Sequence, residues 1–507
     1  MRSGRLHGCV VVAALFAQSS GALAQDNTDE KADGNTDDKA APDKAAPADP
    51  PAAPDKVAQA EPAPPPGPDQ PGSAGPSQPG TRPGPDDMRK MIQEEVAKMR
   101  PKGPALEFAG YARAGVGLAI KGGKEVCFVL NGADTKWRLG NECDYVIEPQ
   151  FTGRLVQRDD GSNWGVVVMP GLYRTWDGAG PAFNDVPTVF RQIYFFGENV
   201  PELLHGRVWG GRRYYDRLHL DINDQFLEIH DSDGAGLEDM QVGQGKLSVA
   251  FLMNPNIEAN TVPNPTMGGA PIATGNLAPW KLNVRYTGIK TAPEGELQIW
   301  AGIHGSSTSE DQIDMGVGEP AAPDTLYRIG VYHTLNKVLN GNNLVGAKIE
   351  YTKNHFLWRA VVQQQMQLNN GRTAVDVIGE FRSTRDTQAS GDKATFNWLS
   401  LGARADTQIS GPFRFLLEAG IDRVFAPTDA DSTQLFKVTP CLAVSAGDSN
   451  GSRPTFRLFY THGFWNDAAK TSPLGVFTGG TSGTRAGQIY GNANNGGSFG
   501  LQAEAWW

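Results

Sequence analysis

Ser498-Phe499-Gly500-Leu501-Gln502-Ala503-Glu504-Ala505-Trp506-Trp507, the final ten residues, decide the fold. Phe499, Leu501, Ala503, Ala505 and Trp507 take one parity; Ser498, Gly500, Gln502, Glu504 and Trp506 take the other. A strand sends successive side chains to opposite faces, so this segment has one apolar side and one wet side. A strand of this kind, ending on an aromatic, is expected where a closed sheet meets lipid outside and water inside. Trp506 is the exception, a large aromatic on the polar face, where a passing solute would meet it.

The rest of the chain sets the compartment. Residues 1–24 read as a secretory signal: Arg2 and Arg5, an apolar run from Cys9 to Ala17, then Ala22-Leu23-Ala24 before a cleavage point. That run is too short to cross a bilayer as a helix, and no later apolar stretch reaches about 18 residues. A hydrophobic content of 39% and a mean hydropathy of -0.39 suit an exported soluble protein. They equally suit a barrel with a wet interior, because only alternate strand residues face lipid. The net charge of -10 is concentrated in one place, since residues 25–70 hold eleven acids against four lysines. The remainder is near neutral, which disfavours a nucleic-acid partner.

Three cysteines remain after processing. Cys127 and Cys143 bracket a polar, turn-rich stretch, and export leads us to expect a disulfide closing a loop of about 15 residues, worth about 3 kcal/mol. The other reading is a pair of free thiols in a metal site, but no His or Cys lies at ligand spacing nearby. Cys441 reads as an unpaired small apolar residue on a strand.

Residues 25–85 are rich in Pro, Ala, Asp, Gly and Ser, with almost no large apolar side chains, so they read as a disordered arm. Over residues 86–104, Met88, Ile92, Val96 and Met99 recur at helical spacing before Pro101, predicting a short amphipathic helix. Residues 105–507 read as a barrel of roughly 16 to 18 period-2 strands and no helix. Trp280, Leu282, Val284 and Tyr286 alternate with Lys281, Asn283 and Arg285, for example. The polar tracts Asn254 to Asn276 and Phe464 to Gly497 are too long for turns and read as extracellular loops.

Enzyme signatures are weak. Gly243-Gln244-Gly245-Lys246-Leu247 lacks the spacer and hydroxyl of a phosphate loop, and Gly447-Asp448-Ser449 has no histidine placed to serve it. Asp231-Ser232-Asp233-Gly234 lacks the trailing ligands of a calcium loop. The eight histidines are scattered. We therefore expect no catalysis, no cofactor and no metal.

Several longer motifs carry a resemblance. They are Gly110-Tyr111-Ala112-Arg113-Ala114-Gly115, Trp137-Arg138-Leu139-Gly140-Asn141-Glu142-Cys143, and Trp209-Gly210-Gly211-Arg212-Arg213-Tyr214-Tyr215-Asp216-Arg217 with the acidic stretch through Asp239. Together with Gly245-Lys246-Leu247-Ser248 and Trp506-Trp507, they closely resemble the maltoporin family of sugar-specific outer-membrane porins. The resemblance covers roughly Leu106 to Trp507 and is strongest before residue 250. It implies an 18-stranded antiparallel barrel, a homotrimer in outer-membrane lipid, and passive diffusion of oligosaccharides such as maltodextrins. It also implies an aromatic slide of Tyr111, Trp176 and Trp506, with Trp176 reaching into a neighbouring subunit. The implied polar track and constriction are Arg113, Arg138, Glu148, Arg217, Asp224 and Phe226. The family's first loop folds inward and carries a disulfide that Cys127 and Cys143 match. The arm and helix ahead of the barrel resemble the periplasmic extension of sucrose-type members.

Departures shorten the slide. Gly451 stands before Ser452-Arg453-Pro454 where a slide tryptophan is expected, and Val146 replaces a tyrosine, with Tyr145 beside it on the other face. Asn184 replaces a track arginine, and Phe226 replaces a constricting tyrosine. Each site residue also has a plainer reading. Tyr111 and Trp506 could be girdle aromatics, Arg113 and Arg138 wall arginines, and Arg217 and Asp224 structural ion pairs, with a bulge between them where parity shifts. The rival functions are a general or broad-specificity diffusion porin, an outer-membrane hydrolase, and a structural tether built on the arm.

Overall fold

The computed structural model describes residues 104–175, 188–253, 261–262, 272–273, 278–307, 325–387, 391–425, 432–471, 476–477 and 489–507. The expected signal, arm, most of the helical segment, Trp176, Asn184 and most of the tract from Asn254 to Asn276 lie outside the described residues.

Eighteen antiparallel strands form one sheet. The first six are β1 (Ala105–Ala119), β2 (Asp144–Gln157), β3 (Asn163–Thr175), β4 (Thr188–Val200), β5 (Gly206–Arg213) and β6 (Ser232–Val242). The next six are β7 (Gly245–Met253), β8 (Ala278–Ala292), β9 (Gly295–Ser307), β10 (Leu326–Val338), β11 (Gly341–Tyr351) and β12 (His355–Leu368). The last are β13 (Thr373–Thr387), β14 (Lys393–Ser410), β15 (Phe413–Phe425), β16 (Thr433–Ser445), β17 (Thr455–Trp465) and β18 (Asn495–Trp506). Each pairs with its sequence neighbours, and β1 closes the ring on β18 in a register running from Tyr111 opposite Trp506 to Ala119 opposite Ser498. Closure leaves no sheet edge, so every backbone group of the wall can be satisfied within it, as lipid demands. Strands of 8 to 18 residues compare with the 9 to 11 or so that a tilted strand needs to cross, so most overhang the membrane.

The two parities separate as the sequence predicts. On β18, Phe499 and Leu501 are exposed to the outside, while Ser498, Gln502 and Glu504 are buried on the inner face. Trp507 lies outward against Phe108, which also meets Phe151, at ring separations of 5.4 and 5.2 Å. Its backbone exchanges hydrogen bonds with Gly110. Any side chain at Gly110 would strike the Trp507 ring at 2.5 Å.

Two segments fold into the barrel. Residues 120–143 bury Val126, Phe128, Leu130 and Trp137 almost completely although they belong to a loop. Cys127 and Cys143 form a disulfide there, and Cys441 is free and buried on β16. The second segment, residues 214–231, contains the small hairpin Leu218–Leu220 with Gln225–Glu228. This corrects the expectation of a bulge between Arg217 and Asp224. The chain reverses at Asp221 to Asp224, where the Asp224 amide donates to the Asp221 carbonyl and Asp224 takes a positive φ of 57°. Among the described residues, a five-residue helix, α1 (Asp467–Thr471), also corrects the expectation of no helix after Leu106. It follows β17 inside the long tract expected as a loop.

Candidate functional site

The site begins with strand register. Tyr111 on β1 is flanked by Trp506 on β18 and by Glu148 on β2. Cross-strand partners share a face, so these three residues form a single row on the inner wall. The next inner row is Glu504, Arg113 and Val146.

Glu504 is the hub. One of its oxygens accepts from the Tyr111 hydroxyl at 2.9 Å and from Arg138 Nη2 at 3.1 Å. The other accepts from Arg457 Nη2 at 2.7 Å and Arg453 Nε at 3.1 Å. The Tyr111 hydroxyl in turn accepts from Arg113 Nη1 at 3.0 Å and Arg138 Nη2 at 2.8 Å. Arg113 donates its Nε to Asp144 at 2.9 Å and also pairs with Glu142, while Arg138 donates its Nε to Glu142 at 2.7 Å and also pairs with Asp221. Arg404 completes the ring, 3.2 Å from Asp221 and bonded to Glu418. Buried charges persist only when paired and hydrogen-bonded, and each of these has at least one counter-charge.

Trp506 borders this hub and is 43% exposed, far more than its polar neighbours. The Arg453 guanidinium lies 3.7 Å from its ring centroid, a close cation–π contact. Both line a cavity of about 740 Å³ with Asp221, Arg404, Asp406 and Arg457. The cavity lies toward the mouth where β1 begins and β18 ends. Gly451 also borders it, and a Cβ there would meet nothing within 4 Å.

The inward hairpin carries the other expected residues. Arg217 bonds Asp231 and stacks 3.3 Å from the Tyr214 ring centroid and 5.4 Å from that of Phe226. Phe226 stacks on His219 at 4.2 Å. His219 and Lys136 lie 3.2 and 3.3 Å from Asp224. Burial alone would raise the Asp224 carboxyl, but the hydrogen bond to His219 and the Lys136 and Arg138 charges hold it well below the usual range. Glu148 accepts from the Tyr214 hydroxyl at 2.7 Å and lies 3.4 Å from Arg191.

Tyr111, Arg113, Arg138 and Trp506 thus gather around Glu504. Glu148 joins them through the register row, whereas Arg217, Asp224 and Phe226 form a separate stack on the hairpin, tied to loop 120–143 by Lys136. Sequence reasoning missed Glu504 as the hub, along with Arg404, Arg453, Arg457, Tyr214 and His219. The parity of the terminal strand already placed Glu504 inward. Nothing signalled that Arg138 of the inward loop would converge on it with Arg453 and Arg457 of the neighbouring β17 region. Among the described residues, the acid–thiol cluster able to consider a metal is Glu125 with Cys127 and Cys143, and its sulfurs are bonded to each other.

A family model described as LamB porin matches residues 106–507. Among solved structures, OpdQ of Pseudomonas aeruginosa aligns over 80% of this chain and 99% of its own, at 9% identity and a TM-score of 0.42. OprB of Pseudomonas putida at high pH aligns over 83% and 97%, at 11% identity and 0.38. The trimer form of OmpT of Vibrio cholerae aligns over 80% and 100%, at 7% identity and 0.35.

Proposed function

The chain belongs to the LamB porin family, and from that premise we propose that its lumen is selective for oligosaccharides. It is an outer-membrane porin that passes solutes by diffusion; the selectivity is our reading. The observation that carries it is the row Trp506, Tyr111, Glu148, with the Tyr111 hydroxyl fixed by Arg113, Arg138 and Glu504. A sugar ring offers an apolar C–H face to an aromatic and a rim of hydroxyls to arginines and carboxylates. Weak sites repeated along one line let a sugar enter and still leave. Paired arginines and carboxylates suit that task, because each can exchange a partner for a hydroxyl without becoming an isolated charge.

In this reading Tyr111 and Trp506 form the slide, with Trp176 supplied by a neighbouring copy in a homotrimer. Arg113, Arg138 and Glu148 form the track, and Arg217, Asp224 and Phe226 flank it from the hairpin. The same reading takes residues 25–104 as a periplasmic extension. The test is single-channel current of the purified protein in planar bilayers titrated with maltohexaose, sucrose and unrelated sugars. Saturable block by at least one oligosaccharide, weakened by Trp506→Ala, is expected; a current indifferent to every sugar sinks the reading.

A second reading, broad-specificity diffusion, is favoured by Val146 in the second inner row, the open space at Gly451, and Arg453 lying over Trp506. Flux linear in concentration for all sugars would select it.

A further inference from the structure

Loop 120–143 reaches the lumen with Lys136 and Arg138, the residues that face Asp224, Glu142 and Glu504. Between them sits Trp137, 2% exposed although it belongs to a loop. Its indole lies on Gly402 of β14 and Gly420 of β15, which are register partners. A Cβ on Gly420 would stand 2.1 Å from two indole carbons and 2.3 Å from Nε1, and one on Gly402 would stand 2.4 Å from Cη2. Neither glycine has a positive φ, so backbone freedom does not explain them; the absent side chains make a slot.

The indole belongs to one buried apolar cluster with the hairpin residues Leu220, Ile222 and Leu227 and with Trp300 and Tyr332 of the wall. Its neighbours lock the same register, with the Lys136 amide donating to the Asn223 carbonyl at 3.1 Å and Arg138 to Ile222 at 2.9 Å. Buried Lys437 donates to the carbonyls of Trp137 and Leu139, and its partner Glu418, 3.1 Å away, accepts from the Leu139 amide. The indole Nε1 has no hydrogen-bond partner, so shape alone seats the ring.

We propose that Trp137, keyed into the Gly402–Gly420 slot, is the positioning residue that sets the width of the constriction and aims Arg138 and the hairpin acids into it. One wedge fixes both inward segments against the wall. The inference rests on the channel reading above, but ionic conductance reads it without any sugar.

The experiment compares the full-length protein with Gly420→Ala, Trp137→Ala and the double variant in planar bilayers. Gly153→Ala serves as a control, since a Cβ there meets Val166 at an ordinary 3.5 Å. Single-channel conductance and maltohexaose block are both measured. Each single variant raises conductance and weakens block, roughly tenfold for an overpacking cost passed on to the constriction. The double variant is no worse than Trp137→Ala alone, because the added methyl then enters vacant space. Independent, multiplying effects, or a Gly420→Ala conductance equal to that of the control, overturn the proposal. If Gly420→Ala alone fails to form a heat-modifiable barrel, adding Trp137→Ala must restore it, and failure to restore also overturns it. A change in conductance with no sugar block in any variant leaves the wedge standing and removes the sugar reading.

Discussion

The two inward segments share a buried apolar cluster but meet the lumen differently. Loop 120–143 is fixed by burial, through the Cys127–Cys143 disulfide, the Trp137 wedge, and an apolar cluster of Val126, Phe128 and Leu130 against Trp398 and Trp465. The hairpin of residues 214–231 faces the lumen with a partly exposed stack, where Arg217, Tyr214, Phe226 and His219 meet through rings and charges. Apolar contacts are indifferent to salt and do not exchange with hydroxyls, whereas partly exposed ion pairs respond to both. The difference separates labour: one segment sets the bore and the other offers exchangeable partners.

The hub where loop 120–143 meets the wall should give the largest effect. Glu504→Ala leaves Arg138, Arg453 and Arg457 without their shared acceptor in a buried site. Breaking such a pair from one side costs about 3–5 kcal/mol. Urea unfolding should show that loss, and reversal potentials should shift toward anion selectivity. A wild-type midpoint would mean that water already satisfies those guanidiniums and that the hub is not tightly closed. Replacing Cys127 and Cys143 by Ser comes next. The chain-entropy argument gives a stability loss of about 3 kcal/mol. Conductance should nonetheless stay near wild type, because Trp137 and Lys437 still seat the loop. A widened channel in the double serine variant would assign the bore to the disulfide instead.

What the sequence disclosed follows the same division. Period-2 alternation located the wall, placed Tyr111, Arg113 and Trp506 on the inner face, and left Phe499 and Leu501 outside. Parity does not say which strands are neighbours, so the direct opposition of Tyr111 and Trp506 awaited closure of the ring. The inward course of residues 120–143 was legible only through the family resemblance, because a loop that buries itself reads locally like any turn-rich stretch. The parity shift between Arg217 and Asp224 reads in sequence as a bulge, whereas Asp221-Ile222-Asn223-Asp224 is a reversal. Lys437 alternates correctly on β16, yet nothing nearby in sequence tells that loop carbonyls, not water, receive its ammonium group.

A pH series should separate the two segments further. Glu125, in the loop, is 4% exposed, and neither carboxylate oxygen has a partner among the described residues. Burial pushes its carboxyl up to about 9, against the attraction of Lys437, the charged group facing it. The folded state therefore holds a proton that the unfolded chain has released. Stability from this group is complete in acid and declines as pH rises between about 4.5, the unfolded value, and about 9. Asp224, on the hairpin, has the opposite sign. Its depressed carboxyl contributes stability above the unfolded value and loses it only in strong acid. Unfolding midpoints of Glu125→Gln should be flat between pH 5 and 9 or so, where those of wild type decline as this carboxyl is forced to ionise. A decline that persists in Glu125→Gln would place the titrating group elsewhere.

The smallest effect on stability belongs to the hairpin stack and should come with a clear effect on solute. The Arg217 and Asp231 side chains are about a third exposed, at 31% and 27%. Arg217→Ala should therefore cost about 1 kcal/mol or less, within the range of surface pairs. Asp231 would lose its cation, but solvent reaches it, so no buried charge is stranded. The guanidinium also covers the Tyr214 ring, whose hydroxyl holds Glu148, so its removal frees an aromatic face beside the Trp506–Tyr111–Glu148 row. Conductance should stay near wild type because the bore is set by the other segment. Maltohexaose block should change, and its dependence on salt should flatten as one exchangeable charge leaves the track. A variant that widens the channel, or unfolds as readily as Glu504→Ala, would show the hairpin to be a second structural brace and erase the distinction between the two segments.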